Sequence, residues 1–490
     1  MMMASFTLAE LAQGISADIT TLSAADKMLV ATKINTDTRA IKSGDVFLAL
    51  RGEKFDGHDY LIQAHASGAV AAIVDEAYIT NLKNELNLSS ESSLGEALAL
   101  LGEILPLLVV PDTLLALGNA GLWNREKFTG PVIAITGSAG KTSVRSMAAH
   151  MMELTGKCWS TPGNFNNHVG TPLTLLGLEA EHKAAVIELG ASGEGEIAYS
   201  SQFVKPDVVI ITNVSGAHLE GFGSIETIMR TKGEIIDSLS LNGCAVLNAD
   251  DIFYADWILR AGNRKVISFG LEHHADVMAK NIICGKAGSC FDVVYQQQKL
   301  TCSIPLLGKH NILNTLSAIA AGLALDLELA AIVEQLETMP TVSGRLQWID
   351  GRNGVRILND SYNASPASVK AAIDVLALWK DKAWLVLGDM AELGADSAAI
   401  HAEMGEYAKQ EGIVNLVATG VACHYAVEAF NKDSDIRNAH WFEQQVDLLN
   451  YINKNMKPGQ IYLVKGSRSA GMDKVVSALT LACAVKDGEV

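Results

Sequence analysis

Residues 132–156 read VIAITGSAGKTSVRSMAAHMMELTG, and no other stretch constrains the chain as tightly. An apolar run of strand length enters a loop of Gly137, Ser138, Ala139 and Gly140. The loop is followed by a stretch whose apolar residues Val144, Met147, Ala148, Met151 and Leu154 recur at helical spacing. Strand, glycine-rich loop and helix in that order belong to a sheet covered by helices, so the surrounding unit is expected to be doubly wound α/β. Backbone N–H groups of such a loop and of the helix start form an anion cradle. Lys141 can neutralise terminal phosphates, and the Thr142 hydroxyl, next to Ser143, can ligate Mg²⁺. The spacing departs from the usual G-x-x-x-x-G-K-[ST], because Ile135 stands at the first glycine position.

In open α/β sheets ligands bind outside the carboxyl ends of the strands. The near-continuous apolar runs AAVIELG (184–190) and DVVIITNV (207–214) suit parallel strands covered on both faces. Glu188 ends the first run and is a candidate Mg²⁺ ligand; His218 follows the second and is a candidate for a second metal or a phosphate. A single acid or histidine at such a position is also an ordinary solvated residue. The guanine-specifying Asn-Lys-x-Asp pattern is missing after the second run, where Asn213, Val214 and Ser215 stand, which weakens a GTPase reading.

The length of 490 residues predicts about three domains. We expect a small N-terminal α/β domain over 1–111, a central P-loop domain over 112–339 and a Rossmann-like α/β domain over 340–490. The last rests on the strands AWLVLG, NLVATG and IYLVKG alternating with helices, one of them opened by Ser365-Pro366. Residues 75–105 read as a surface excursion of opaque role. With 38 Lys plus Arg against 55 Asp plus Glu, the net charge of −17 repels nucleic acid and anionic membranes, so phosphate must be held by local cations. The seven scattered cysteines, with no Cys-x-x-Cys pair, fit a reducing cytoplasm better than a disulfide framework. No stretch reads as a signal peptide or a membrane span.

The strings TGSAGKTS, GNFNNHVGTPLTLL, IELGASGEGEI, LLGKHNILNTLSAIAA, SGRLQ and NDSYNASPASVKAAI together resemble the Mur ligases of peptidoglycan synthesis, in matching order across nearly the whole chain. NTDTRAIKSGDVFLALRGEKFDGHDY and VLGDMAELG are similar to the last ligase of that series, which joins D-alanyl-D-alanine to UDP-N-acetylmuramoyl-tripeptide. The D-N-P-R string of the preceding, third-residue-adding enzyme is missing. The resemblance implies a cytoplasmic, monomeric, ATP- and Mg²⁺-dependent, ADP-forming amide ligase that works through an acyl phosphate. It implies that Lys141 holds the transferring phosphate, Thr142 and Glu188 bind Mg²⁺, and His218 sits by the second metal. Lys232 matches a lysine that several members carbamylate. Asn311 matches a position near the adenine, and Arg345 and Asp360 match residues that reach the nucleotide on domain closure. Asp37, Thr38 and Arg39 would hold the uridine diphosphate, and Tyr362, Asn363, Lys465 and Arg468 would line the dipeptide site. The alternatives are another Mur or folylpolyglutamate-type ligase and, from a different class, a nucleotide-dependent binding switch.

Overall fold

The computed structural model describes residues 5–20, 22–52, 54–85, 105–216, 222–432 and 438–481. Its strands form three large sheets in chain order. β1 (Phe6–Thr7) and β2 (Val30–Ala31) make a short antiparallel pair, and helix α1 (Leu8–Ile15) follows β1 directly. Thr7 caps α1 reciprocally with Glu10, a capping box that sets where the helix begins. β3 (Lys33–Asn35), β4 (Asp45–Leu48), β5 (Ala71–Asp75) and β6 (Leu107–Val110) form a wholly parallel sheet in that order. Of the 75–105 excursion, Glu76–Glu85 is a helix and 86–104 lie outside the described residues. Helix α2 (Thr113–Glu126), capped by Asp112, contributes Ala116, Leu117 and Ala120 to the N-terminal core, while its buried Asn124 donates to the Leu175 and Leu178 carbonyls of the central unit. α2 thus ties the first sheet to the second.

The central sheet has nine strands: β7 (Val132–Thr136), β8 (Cys158–Ser160), β9 (Ala184–Glu188), β10 (Val208–Ile211), β11 (Cys244–Asn248), β12 (Lys265–Gly270), β13 (Val277–Gly285), β14 (Gly288–Tyr295) and β15 (Gln298–Ile304). They lie in the order β15-β14-β13-β12-β11-β10-β7-β9-β8. From β8 through β13 the pairing is parallel; β13, β14 and β15 form an antiparallel meander. Alternation along each strand splits the core into two layers. Ile133, Ile135, Val186, Val208 and Ile210 face helices α3 (Lys141–Met152) and α5 (Lys309–Ala324), with α4 (Ile225–Asp237) on the opposite side. Val132, Ala134, Ala185, Ile187, Val209 and Ile211 fill that opposite layer. Each fully buried Val, Leu or Ile contributes roughly 1.5–3 kcal/mol, which is what holds the strand ends, and the loops beyond them, in fixed positions.

The third sheet comprises β16 (Gln347–Asp350), β17 (Arg356–Asp360), β18 (Ala383–Gly388), β19 (Asn415–Thr419), β20 (Ala439–Phe442) and β21 (Ile461–Lys465), ordered β16-β17-β21-β18-β19-β20. β16 and β17 form an antiparallel hairpin, and the other pairings are parallel. The helix from Pro366 to Leu376 opens on a Ser365–Ser368 capping box. Two parts of the central sheet go beyond the sequence expectation: the edge strand β8 and the β13–β15 meander. The meander's alternating burial along GSCFDVVY is the period-2 signal of a half-exposed antiparallel strand.

Candidate active site

The phosphate-loop residues stand at the carboxyl end of β7. Gly137 (φ +144°) and Gly140 (φ +82°) occupy backbone regions that favour glycine. A Cβ on Gly137 would meet Thr212 Oγ1 at 1.9 Å, so no other residue fits there without moving β10's end. That same end braces the loop. Asn213 Oδ1 accepts the Ala139 N–H (3.1 Å), the Asn213 carbonyl accepts the Ser138 N–H (2.9 Å), and Thr212 Oγ1 donates to the Ala139 carbonyl (2.6 Å). The Thr212–Ser215 segment that departs from the guanine-binding pattern is thus structural support for the loop. Thr142 and Ser143 are buried in the first turn of α3. Lys141 Nζ donates to the Gly137 carbonyl at 2.7 Å. Its burial lowers its pKa, with the Glu188 charge raising it and the Arg345 charge lowering it further.

Glu188, 3% exposed at the end of β9, is the other central group. Its Oε1 accepts from Asn166 Nδ2 at 2.8 Å and lies 3.4 Å from Thr142 Oγ1. Its Oε2 is buried with no hydrogen bond; the closest charge is Arg145 Nη1 at 3.4 Å. A buried carboxylate oxygen without a donor costs desolvation, and a hard cation satisfies such an oxygen directly. Thr142 and Glu188 therefore fit Mg²⁺, and Asn166 and Arg145 hold the carboxylate in place. Sequence reasoning did not single out Asn166 or Arg145, although Asn166 lies within the GNFNNHVG string.

The third sheet closes the other side. Arg345 follows Gly344 (φ +70°) and precedes Leu346 (φ +47°) in a tight turn, and its Nη2 reaches Thr142 Oγ1 at 3.3 Å across the two domains. The Arg345 guanidinium carbon stacks 4.5 Å from the Tyr362 ring centroid, and its Nε is buried without a partner. Asp360 supports this turn: Oδ1 accepts the Leu346 N–H (3.2 Å) and Oδ2 receives Lys465 Nζ (2.6 Å). Asp360 and Lys465 are thus a buried ion pair behind the cleft, whereas Arg345, Tyr362, Asn363 and Arg468 line it. The cavity between the domains measures about 750 Å³ and also takes in Ser138–Thr142, Asn166, Glu188, Glu196 and Glu392.

The remaining expected residues are dispersed. Asn311 is buried on α5, donating to the Leu307 carbonyl and accepting from Asn314; Asn314 Oδ1 is the atom that crowds Gly140. Lys232 on α4 is 2% exposed, its Nζ 5.2 Å from the Phe222 ring centroid, and burial pushes its pKa down to about 7. His218 lies outside the described residues. Asp37 and Thr38, half-buried, and the exposed Arg39 form a turn after β3, where Arg39 grips the Asp37 carboxylate in a fork at 2.8–2.9 Å; that side-chain bonding holds the acid's pKa at about 2. They are separate from the interdomain cavity.

A P-loop sheet faced by a second α/β domain, which delivers an arginine onto Thr142 just beyond the loop, and preceded by a smaller parallel sheet, is the architecture of a three-domain nucleotide-dependent enzyme. The chain matches the Mur ligase middle domain over residues 135–322, the Mur ligase glutamate ligase domain over 344–468 and the Mur ligase family catalytic domain over 31–102. It is 38% identical over 480 residues to the UDP-N-acetylmuramoyl-tripeptide–D-alanyl-D-alanine ligase of Escherichia coli (strain K12), covering 97% of this chain and 99% of that protein. It superposes on MurF from Acinetobacter baumannii with a TM-score of 0.84 at 32% identity, covering 97% and 99% of the two chains. MurF from Thermotoga maritima in complex with ADP aligns with a TM-score of 0.77 at 25% identity, covering 91% and 97%. The chain belongs to the Mur ligase family.

Proposed function

We propose that this chain is the ATP-dependent, ADP-forming ligase that joins D-alanyl-D-alanine to UDP-N-acetylmuramoyl-tripeptide in peptidoglycan synthesis. The observation that carries the reading is Arg345 on Thr142 Oγ1, which brings cations from two domains to one phosphate cradle. A carboxylate is a poor electrophile, and phosphorylation by ATP gives it a leaving group. The reactants of that step are both anionic, so the site's first task is to hold them together in line. Lys141 and the Gly137–Thr142 backbone bind the transferring phosphate, and Arg345 offsets its charge from the opposite side. Thr142 and Glu188 would hold Mg²⁺, which supplies electrostatic stabilisation of the phosphates when bound. The dipeptide amine then attacks the acyl carbon and phosphate departs, leaving an amide.

Asp360 acts through Arg345 by fixing its turn. Lys232, pushed to about 7 by burial, holds at neutral pH a substantial share of the free amine that a carbamate requires. In this reading residues 1–111 bind the UDP-substrate through Asp37, Thr38 and Arg39, residues 112–339 bind ATP, and residues 340–490 close on it and hold the dipeptide near Tyr362, Asn363 and Arg468. The enzyme works as a monomer in the cytoplasm, and His218 supports a second metal. Among the described residues no helix is long and apolar enough to cross a membrane.

The test is purified protein with Mg-ATP, UDP-N-acetylmuramoyl-tripeptide and D-Ala-D-Ala, scored for ADP, phosphate and pentapeptide. Equal yields of ADP and pentapeptide, dependent on both acceptors, are expected. Phosphate release independent of them would leave a nucleotide switch, and product only with a free diamino acid would move the chain to the neighbouring ligase.

A further inference from the structure

Leu306 and Leu307 are neighbours in the chain, yet their side chains belong to different domains. Leu306 packs into the central core with Ile304 and Ile312. Leu307, 1% exposed, lies instead in the core of the third sheet, whose other buried members among the described residues all fall between Leu346 and Leu463. The backbone at this point stays with the central domain. Ser289 Oγ on β14 donates to the Leu306 carbonyl (2.8 Å), and Asn311 Nδ2 on α5 donates to the Leu307 carbonyl (2.9 Å). Gly308 follows at φ +88°, and a Cβ there would meet Val375 Cγ2 at 2.7 Å, so the segment lies directly against the helix from Pro366 to Leu376.

A residue whose backbone is fixed in one domain and whose side chain is fixed in the other sets the separation of the two. Leu346, which follows Arg345 in its turn, shares the core that receives Leu307. Close-packed interiors pass on a displacement instead of absorbing it, so the seat of Leu307 and the aim of Arg345 are mechanically joined. We propose that Leu307 is a positioning residue for phosphate transfer: it seats the C-terminal domain so that Arg345 reaches Thr142 across the cleft. The role of Arg345 in this rests on the ligase reading above, while the seating rests on the geometry alone. α5 also carries Asn314, whose Oδ1 would lie 2.7 Å from a Cβ on Gly140. One helix thus abuts the phosphate loop and begins at the interdomain peg. A misplacement of about 1 Å at a group that must meet a transferring phosphate costs roughly 10²-fold in rate.

Steady-state kinetics of Leu307→Ala, Arg345→Lys and the double variant test this. Leu307→Ala is expected to lower kcat at least tenfold while ADP, which lacks the transferring phosphate, binds within threefold of wild type. If Leu307 acts through Arg345, the double variant turns over within twofold of the slower single variant, and Leu307→Met, which keeps the volume, recovers most of the rate. Losses that multiply in the double variant, or a wild-type kcat in Leu307→Ala, overturn the inference. Leu307→Val, a smaller truncation, carries the same comparison should the alanine variant lose ADP binding. Small-angle X-ray scattering with Mg²⁺ and a non-hydrolysable ATP analogue is expected to give Leu307→Ala a larger radius of gyration than wild type. Equal radii overturn the seating whatever the activity. Absence of pentapeptide from the wild-type protein overturns the ligase reading, and the scattering then decides the seating by itself.

Discussion

Two clusters at strand ends look alike when only ligand atoms are counted. In the central domain Thr142 and Glu188 meet at 3.4 Å beside Arg145. In the C-terminal domain Asp389, His401 and Cys423 bring a carboxylate, an imidazole and a thiol within 4.8 Å of one another, a set that could be taken for a metal site. Their lone pairs separate them. Glu188 Oε2 has no donor, whereas Asp389 Oδ1 and both ring nitrogens of His401 in the second cluster are engaged by the backbone. Both ring nitrogens of His401 are bonded to backbone, Asp389 receives two backbone N–H groups, and burial beside Asp389 keeps the Cys423 thiol protonated by raising its pKa well above the ordinary value. The first cluster is built to take a ligand, and the second to hold a loop. Proximity of donors therefore identifies a site only when some of them are left unsatisfied.

The sharpest way to break this comparison is Glu188→Gln. It is expected to lower turnover roughly 10²–10³-fold, the usual cost of removing one preorganised electrostatic group. The urea midpoint is expected to fall, because Arg145 loses the charge 3.4 Å from its Nη1 while Asn166 keeps an acceptor on the remaining oxygen. A lower midpoint with retained turnover would show that Glu188 is structural. The counterpart, His401→Ala, is expected to cost about 1–3 kcal/mol of stability by stranding the Met390 N–H, with the melting temperature indifferent to Zn²⁺ or chelator; a zinc-dependent rise in the wild type would make the second cluster a metal site.

A third test concerns Lys232, compared with Lys232→Met in CO₂-free buffer. The folded pKa of about 7 lies below the ordinary lysine value of 10.5, so between those pH values the unfolded chain carries a proton that the folded one has released. Wild-type stability is then expected to climb with pH in that window, by up to about 1.4 kcal/mol per unit, while the methionine variant shows no such climb. Parallel curves in urea titrations from pH 7 to 9 would place Lys232 in solvent.

Most of the site was legible where one residue type meets a backbone demand. Gly137, Gly140, Lys141 and Thr142 could be read because strand, turn and helix each leave a local pattern, and Glu188 because a strand end is recognisable. Arg345 carries no local signal and was reached only through the resemblance; its meaning lies in a contact 203 positions away. The resemblance brings Asp360 to the nucleotide and Lys465 to the dipeptide, but their side chains pair with each other between β17 and β21, behind the cleft. Asn311 shows the same limit, since its amide bonds the Leu307 carbonyl just before α5 and Asn314 within it. The β13–β15 meander is marked only by the alternation of Phe291 and Val293 with half-exposed neighbours, a weaker signal than the continuous apolar runs of the parallel strands.

The central claim is that the metal–nucleotide site lies at Thr142–Glu188 and that the Asp389 cluster is scaffold. Titration of Mn²⁺ with a non-hydrolysable ATP analogue, followed by electron paramagnetic resonance, tests it in wild type, Glu188→Gln and His401→Ala. The expected result is a ternary complex in wild type and His401→Ala, weakened at least tenfold in Glu188→Gln. Undiminished Mn²⁺–nucleotide binding in Glu188→Gln, with loss in His401→Ala, would contradict it.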